Sequence, residues 1–152
     1  MADLGQGAPT GGGAAGASPA TESAPSKEPD KELLTRRSDR ELYRMRTRYG
    51  IEIADKHYPM AGYGNFYAYV IYLGDNGYLD VYEVRDNWNG SGRVGYVDVQ
   101  LDEKTAAQIR SELLSIKTFR DFRSLFDKLV QATYCNGEDG AYICEDDDDD
   151  DI

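Results

Sequence analysis

The chain has 152 residues, 28 acidic and 17 basic, and a formal net charge of −11. That length suits one domain, and no stretch is long and apolar enough to span a bilayer as a helix. The first residues lack the basic start and apolar run of a secretory signal, so the expected location is cytoplasmic, bacterial or in the host cell of a virus.

Residues 1–31 are mostly Gly, Ala, Ser, Pro and Thr. They offer almost no large apolar side chain against the entropy of ordering, which predicts a disordered leader. Residues 32–144 are expected to form a single α+β domain, with residues 145–152 as a disordered acidic tail. Residues 1–144 hold 21 acidic and 17 basic side chains, so most of the excess negative charge sits in the tail. Charge is also segregated within the domain, because eight basic and five acidic residues fall between Lys31 and Lys56.

Ser38 followed by Glu41 reads as a capping box, and Leu42, Met45 and Tyr49 recur at helical spacing before Gly50. This predicts a short amphipathic helix. On such a helix Arg37, Arg40, Arg44 and Arg48 form a cationic stripe suited to phosphate. A solvated helix face is the competing reading.

From Ile51 to Leu101 the pattern becomes that of strands, with a loop over 58–65. Phe66 to Leu73 is rich in aromatic and branched residues, and Asn76-Gly77 predicts a type I′ hairpin. That register pairs Leu73 with Asp80 and Ile71 with Tyr82. One face then carries Tyr67, Tyr69, Ile71, Tyr82 and Val84, the other Phe66, Ala68, Val70, Tyr72, Leu79 and Val81. The second set is the expected core. After a polar loop around Trp88, Arg93 to Leu101 is a further strand, giving an antiparallel sheet of three to five strands. Asp102 to Ile116 and a stretch capped by Thr118 are predicted helices, packed on one sheet face.

The other face is then free, and eight of the twelve tyrosines lie between Tyr58 and Tyr96. Exposed rings on a sheet stack unpaired bases without sequence preference. Tyr67, Tyr69 and Tyr82 are the candidate platform, with half-buried packing as the alternative for each ring.

Asp139-Gly140 predicts a second tight turn that sets Cys135 opposite Cys144, close enough for a disulfide. In a cytosolic chain the expectation is two reduced thiols. Two cysteines and the distant His57 are too few for zinc. No phosphate loop, nucleophile elbow or calcium loop with a closing glutamate is present. The expectation is a protein that is not an enzyme, with no metal and no cofactor.

Two resemblances bear on function. Glu145, the six aspartates Asp146 to Asp151 and Ile152 resemble the ending of bacterial and phage single-stranded-DNA-binding proteins. This implies a tail that recruits partner proteins, through Asp149, Asp150, Asp151 and Ile152, or that competes for the DNA surface. Tyr78-Leu79-Asp80-Val81-Tyr82-Glu83-Val84, then Gly95-Tyr96-Val97-Asp98-Val99-Gln100-Leu101 leading into a helix, resembles the transcriptional positive-coactivator family of single-stranded-DNA-binding domains. That family is dimeric, and the resemblance implies Arg85, Trp88 and Arg93 as contacts. The sequence-level function is therefore a single-stranded nucleic-acid-binding protein, DNA or RNA, using an aromatic sheet and a basic helix stripe. The alternative is an acidic protein-binding module, such as a secretion chaperone, an immunity protein or an inhibitor that imitates DNA. The low pI supports that alternative.

Overall fold

The computed structural model describes residues 30–58, 66–87 and 90–144. Six strands run in chain order through one sheet: β1 (Asp30–Arg37), β2 (Arg40–Arg46), β3 (Gly50–His57), β4 (Phe66–Gly74), β5 (Tyr78–Asn87) and β6 (Gly90–Gln100). Helices α1 (Glu103–Leu114) and α2 (Phe119–Gln131) follow, then a hairpin of β7 (Tyr134–Gly137) and β8 (Gly140–Ile143). The fold is α+β, with more strands than the three to five expected. Among the described residues no helix is long and apolar enough to cross a membrane.

The helix predicted over 38–49 is instead the β1–β2 hairpin, and the cationic stripe on a helix does not exist. Ser38 is a turn residue with a left-handed φ of 51°, not the extended backbone typical of a helix N-cap. The deciding observation is that the adjacent residues Leu42 and Tyr43 are both buried, one in the helix-side core and the other in a separate cluster with Ala54, Ala68 and Val70. A strand sends neighbours to opposite faces, whereas one helix stripe cannot bury both in different cores.

The β4–β5 register also differs from expectation. Gly77 N donates to Gly74 O at 2.9 Å, Gly77 has φ 91°, and Asn76 Oδ1 accepts from Tyr78 N at 3.1 Å. The connection is therefore three residues long with one left-handed glycine, rather than a two-residue type I′ turn. Leu73 pairs with Leu79, Ile71 with Val81 and Val70 with Tyr82. One residue of slip exchanges faces between partners. Ile71, Leu73, Leu79 and Val81 thus share the helix-covered core with Leu42, Ile51, Ile53 and Val97. Ala68 and Val70 lie on the other face, and the predicted core set is divided between the two.

The two helices match their predicted positions. Asp102 caps α1 by accepting from Thr105 N at 2.8 Å, and Thr118 with Asp121 closes a capping box on α2. Phe119, Phe122, Leu125, Phe126 and Leu129 of α2 are buried against the sheet. The Thr105 side chain and then its backbone N–H hold the carboxyl of Asp102, and the backbone N–H groups of Lys117 and Thr118 that of Asp121, below the ordinary aspartate value of 3.8. A depressed folded value means that this stabilisation is complete above the unfolded value and is lost as pH falls through the folded one. Urea midpoints are expected to drop between about pH 5 and about pH 3, and to drop less in an Asp102→Ala/Asp121→Ala variant.

Cys135 and Cys144 are disulfide-bonded, with Cα atoms 5.5 Å apart, which corrects the expectation of reduced thiols. Their hairpin turns at Glu138-Asp139, one residue earlier than predicted, so Cys135 faces Tyr142 and Cys144 N donates to Thr133 O. The cysteines are diagonal neighbours. Gly140, at φ 137°, lets the hairpin lie against the backbone of Leu101 and Asp102, where a Cβ would sit 2.7 Å from Leu101 C. Closing so short a loop is expected to contribute about 2–3 kcal/mol. A Cys135→Ser/Cys144→Ser variant should show that loss in urea unfolding, and an unchanged midpoint would contradict it.

Candidate functional site: the aromatic and arginine end of the helix-bearing face

In an antiparallel meander the C-terminal ends of β3 and β5 meet the N-terminal ends of β4 and β6. Three pairs at period two meet there on one face: Asp55 with His57, Tyr67 with Tyr69, and Glu83 with Arg85. Asp55 lies opposite Tyr69 and His57 opposite Tyr67, while Tyr69 lies opposite Glu83 and Tyr67 opposite Arg85. A bulge in β6 directs Tyr96 to this face, where it meets Glu83 and Phe126.

The rings are continuous across the site. His57 stacks on Tyr67 with centroids 4.4 Å apart and planes 9° apart. Tyr67 meets Tyr69 edge-on at 5.9 Å, and Tyr69 and Tyr96 both meet Phe126 of α2 edge-on, at 5.5 and 5.7 Å. Such pairs add to the energy of area burial and fix ring orientation. Tyr67 and Tyr96 remain 38% and 43% exposed, which leaves ring surface for a ligand.

Two buried carboxylates organise the cations. Asp55, 1% exposed, accepts from Arg40 Nε at 3.0 Å and Nη2 at 2.7 Å. Its Oδ1 lies 3.2 Å from His57 Nε2, off the hydrogen-bonding direction, and that nitrogen has no hydrogen-bond partner among the described residues. Glu83, 4% exposed, accepts from Arg85 Nε at 2.9 Å and the Tyr96 hydroxyl at 3.1 Å. The bond to Asp55 raises Arg40, and the bond to Glu83 raises Arg85, so both stay charged. The bond to Glu83 likewise raises Tyr96, and burial raises Tyr69, so both phenols stay protonated. Arg123 lies 5.1 Å from the Tyr69 ring, and Arg37 and Arg40 lie 5.3 and 4.2 Å from Phe119. The result is a rigid surface of oriented donors and rings.

The remaining sequence candidates disperse. Arg44 donates to the carbonyls of Leu113 at 3.0 Å and Ile116 at 3.2 Å, where a cation stabilises the C-terminal end of α1, and it also meets Glu32. Arg48 lies over Tyr49 beyond β2. Tyr82 and Arg93 are on the opposite face, with the guanidinium 3.8 Å from the Tyr82 ring and bonded to Asp80. The tyrosine platform of Tyr67, Tyr69 and Tyr82 therefore does not form, because Tyr82 points away from the other two. Trp88 and the tail residues Asp149, Asp150, Asp151 and Ile152 lie outside the described residues.

Asp55, His57, Glu83, Tyr96, Arg123 and Phe126 were not among the sequence candidates. The signal for the first three was present as polar residues spaced by two at strand ends. Asp55 and His57 could supply two metal ligands, but among the described residues no third His, Cys, Asp or Glu converges with them. No family model, curated protein or solved structure matches the chain.

Proposed function

We propose that the chain is an acidic protein-binding module whose contact surface is the aromatic and arginine end of the helix-bearing face. The observation that carries this reading is the pairing of the cations. Arg40, Arg85 and Arg93 each meet a carboxylate and Arg44 meets helix carbonyls, so four of the six arginines that the sequence offered as phosphate contacts are already engaged. Affinity for a phosphate backbone grows with the number of cations that neutralise it. Oriented Tyr and Arg side chains on a rigid base are instead the composition of protein hot spots. In this reading the tail from Glu145 to Ile152 adds a charged grip with an apolar tip. The Cys135–Cys144 bond favours an oxidising compartment over the cytoplasm expected from the sequence.

The experiment is capture from a nuclease-treated extract on immobilised wild type and on an Arg85→Ala variant. The reading expects one stoichiometric protein on the wild type and its loss on the variant. A partner retained equally by both would contradict this surface.

Single-stranded nucleic-acid binding is the second reading, favoured by the exposed faces of Tyr67 and Tyr96 beside Arg85 and Arg123. It moves from a basic helix and an open sheet face to this end of the helix-bearing face. In it the tail competes for the same surface, so deleting Glu145 to Ile152 should tighten binding to single strands.

A further inference from the structure

At the opposite end of the sheet, the β2–β3 and β4–β5 connections lie side by side, joined by Asp75 N donating to Tyr49 O at 2.7 Å. Between them is an open cavity of about 370 Å³ walled by Tyr49, Tyr72 and Tyr78, with Asp75 and Asn76. Three of the polar atoms of its walls are engaged elsewhere. The Tyr78 hydroxyl donates to Asp98 at 2.6 Å, Asn76 Oδ1 accepts from Tyr78 N, and the Tyr72 hydroxyl is turned toward Thr47 and Gly50. What remains for a ligand is mainly ring surface and the Asp75 carboxylate, with the Tyr49 hydroxyl at the mouth.

The surroundings are acidic. Tyr72 lies between Glu52 and Asp80 across the sheet, and Asp80 lies opposite Asp98. Like charges directly opposed on a sheet repel, and here Arg93 on Asp80 and Tyr78 on Asp98 relieve that repulsion. Arg48, 5.6 Å from the Tyr49 ring centroid, shows that this ring already serves as the partner of a cation. Tyr49 is 68% exposed and stands at the mouth.

We infer that this cavity binds a quaternary ammonium group of the choline and betaine class. Ring faces attract a cation through their quadrupole, and several tyrosines around one site favour a methylated cation, which needs no hydrogen-bond acceptors. Asp75 supplies the compensating charge, and the neighbouring carboxylates of Glu52, Asp80 and Asp98 disfavour an anion. This site is separate from the proposed protein-binding surface and does not rest on it.

The test is titration of the full chain with choline, with phosphatidylcholine vesicles, and with 3,3-dimethylbutan-1-ol, a neutral isostere of choline. Saturable binding of choline, at least tenfold tighter than the isostere, is expected. Tyr49→Ala and Asp75→Asn, both at exposed positions, should each weaken it about tenfold, while Tyr49→Phe should retain it. Tighter binding to vesicles than to free choline would assign the same cation to a lipid headgroup. Equal binding of the isostere, no saturation by choline at tens of millimolar, or indifference to both Tyr49→Ala and Asp75→Asn would overturn the inference.

Discussion

Arg40→Ala is expected to lower the unfolding free energy by about 3–5 kcal/mol, the cost of leaving a buried carboxylate without its partner. Asp55 is 1% exposed and takes both of Arg40's directed bonds. His57 Nε2 lies 3.2 Å from the Asp55 carboxylate but is not aligned to donate. An Arg40→Met/Asp55→Leu double variant should recover most of the loss, because apolar packing can replace a buried ion pair at little net cost. Arg36→Ala is the control: its pair with Glu41 spans 3.0 Å but the arginine is 60% exposed, so its removal should cost about 0–1 kcal/mol. Chemical denaturation of the four proteins checks this, and an Arg40→Ala loss no larger than that of Arg36→Ala would refute the assigned role of Asp55.

Tyr67→Ala and Tyr96→Ala should each cost about 2 kcal/mol in binding to the captured partner, the value typical of a central hot spot. Each loss corresponds to about thirtyfold in Kd. The two rings do not touch one another but communicate through Tyr69 and Phe126, so the double variant should approach a thousandfold loss if the sites are nearly additive. Both side chains are partly exposed, and the variants should keep the wild-type circular dichroism spectrum. Calorimetry or surface-plasmon titration against the partner decides it. A double variant that binds within threefold of wild type would place the contact surface elsewhere.

How much of this was legible in the sequence depended on whether local pattern and tertiary context agreed. Phe122, Leu125, Phe126 and Leu129 admit a helix alone, and Asp102 and Thr118 mark its kind of beginning, so α1 and α2 could be read directly. Leu42, Met45 and Tyr49 fit a helix as well as a strand, and Ser38 with Glu41 fits a capping box. Only the partner strand β3 and the two separate cores around Leu42 and Tyr43 decide against it. Asn76-Gly77 marked the β4–β5 turn correctly but not its length, and one residue of slip was enough to put Tyr82 on the face away from Tyr67 and Tyr69. The candidate site was half legible for the same reason. Tyr67, Tyr69 and Arg40 could be named from residue type and Arg85 only from the family resemblance, but their convergence with Asp55, His57 and Glu83 follows from which strand ends the meander brings together.

The measurement that bears most directly on the central claim is a salt series of anisotropy titrations, with a labelled single-stranded oligonucleotide against the full chain and against the chain lacking Glu145 to Ile152. If Arg40, Arg44, Arg85 and Arg93 are committed to carboxylates and carbonyls as described, neither protein shows saturable binding at physiological salt. Saturable binding with a steep salt dependence, abolished by Arg85→Ala or Tyr67→Ala, would contradict the protein-binding account and establish the nucleic-acid one.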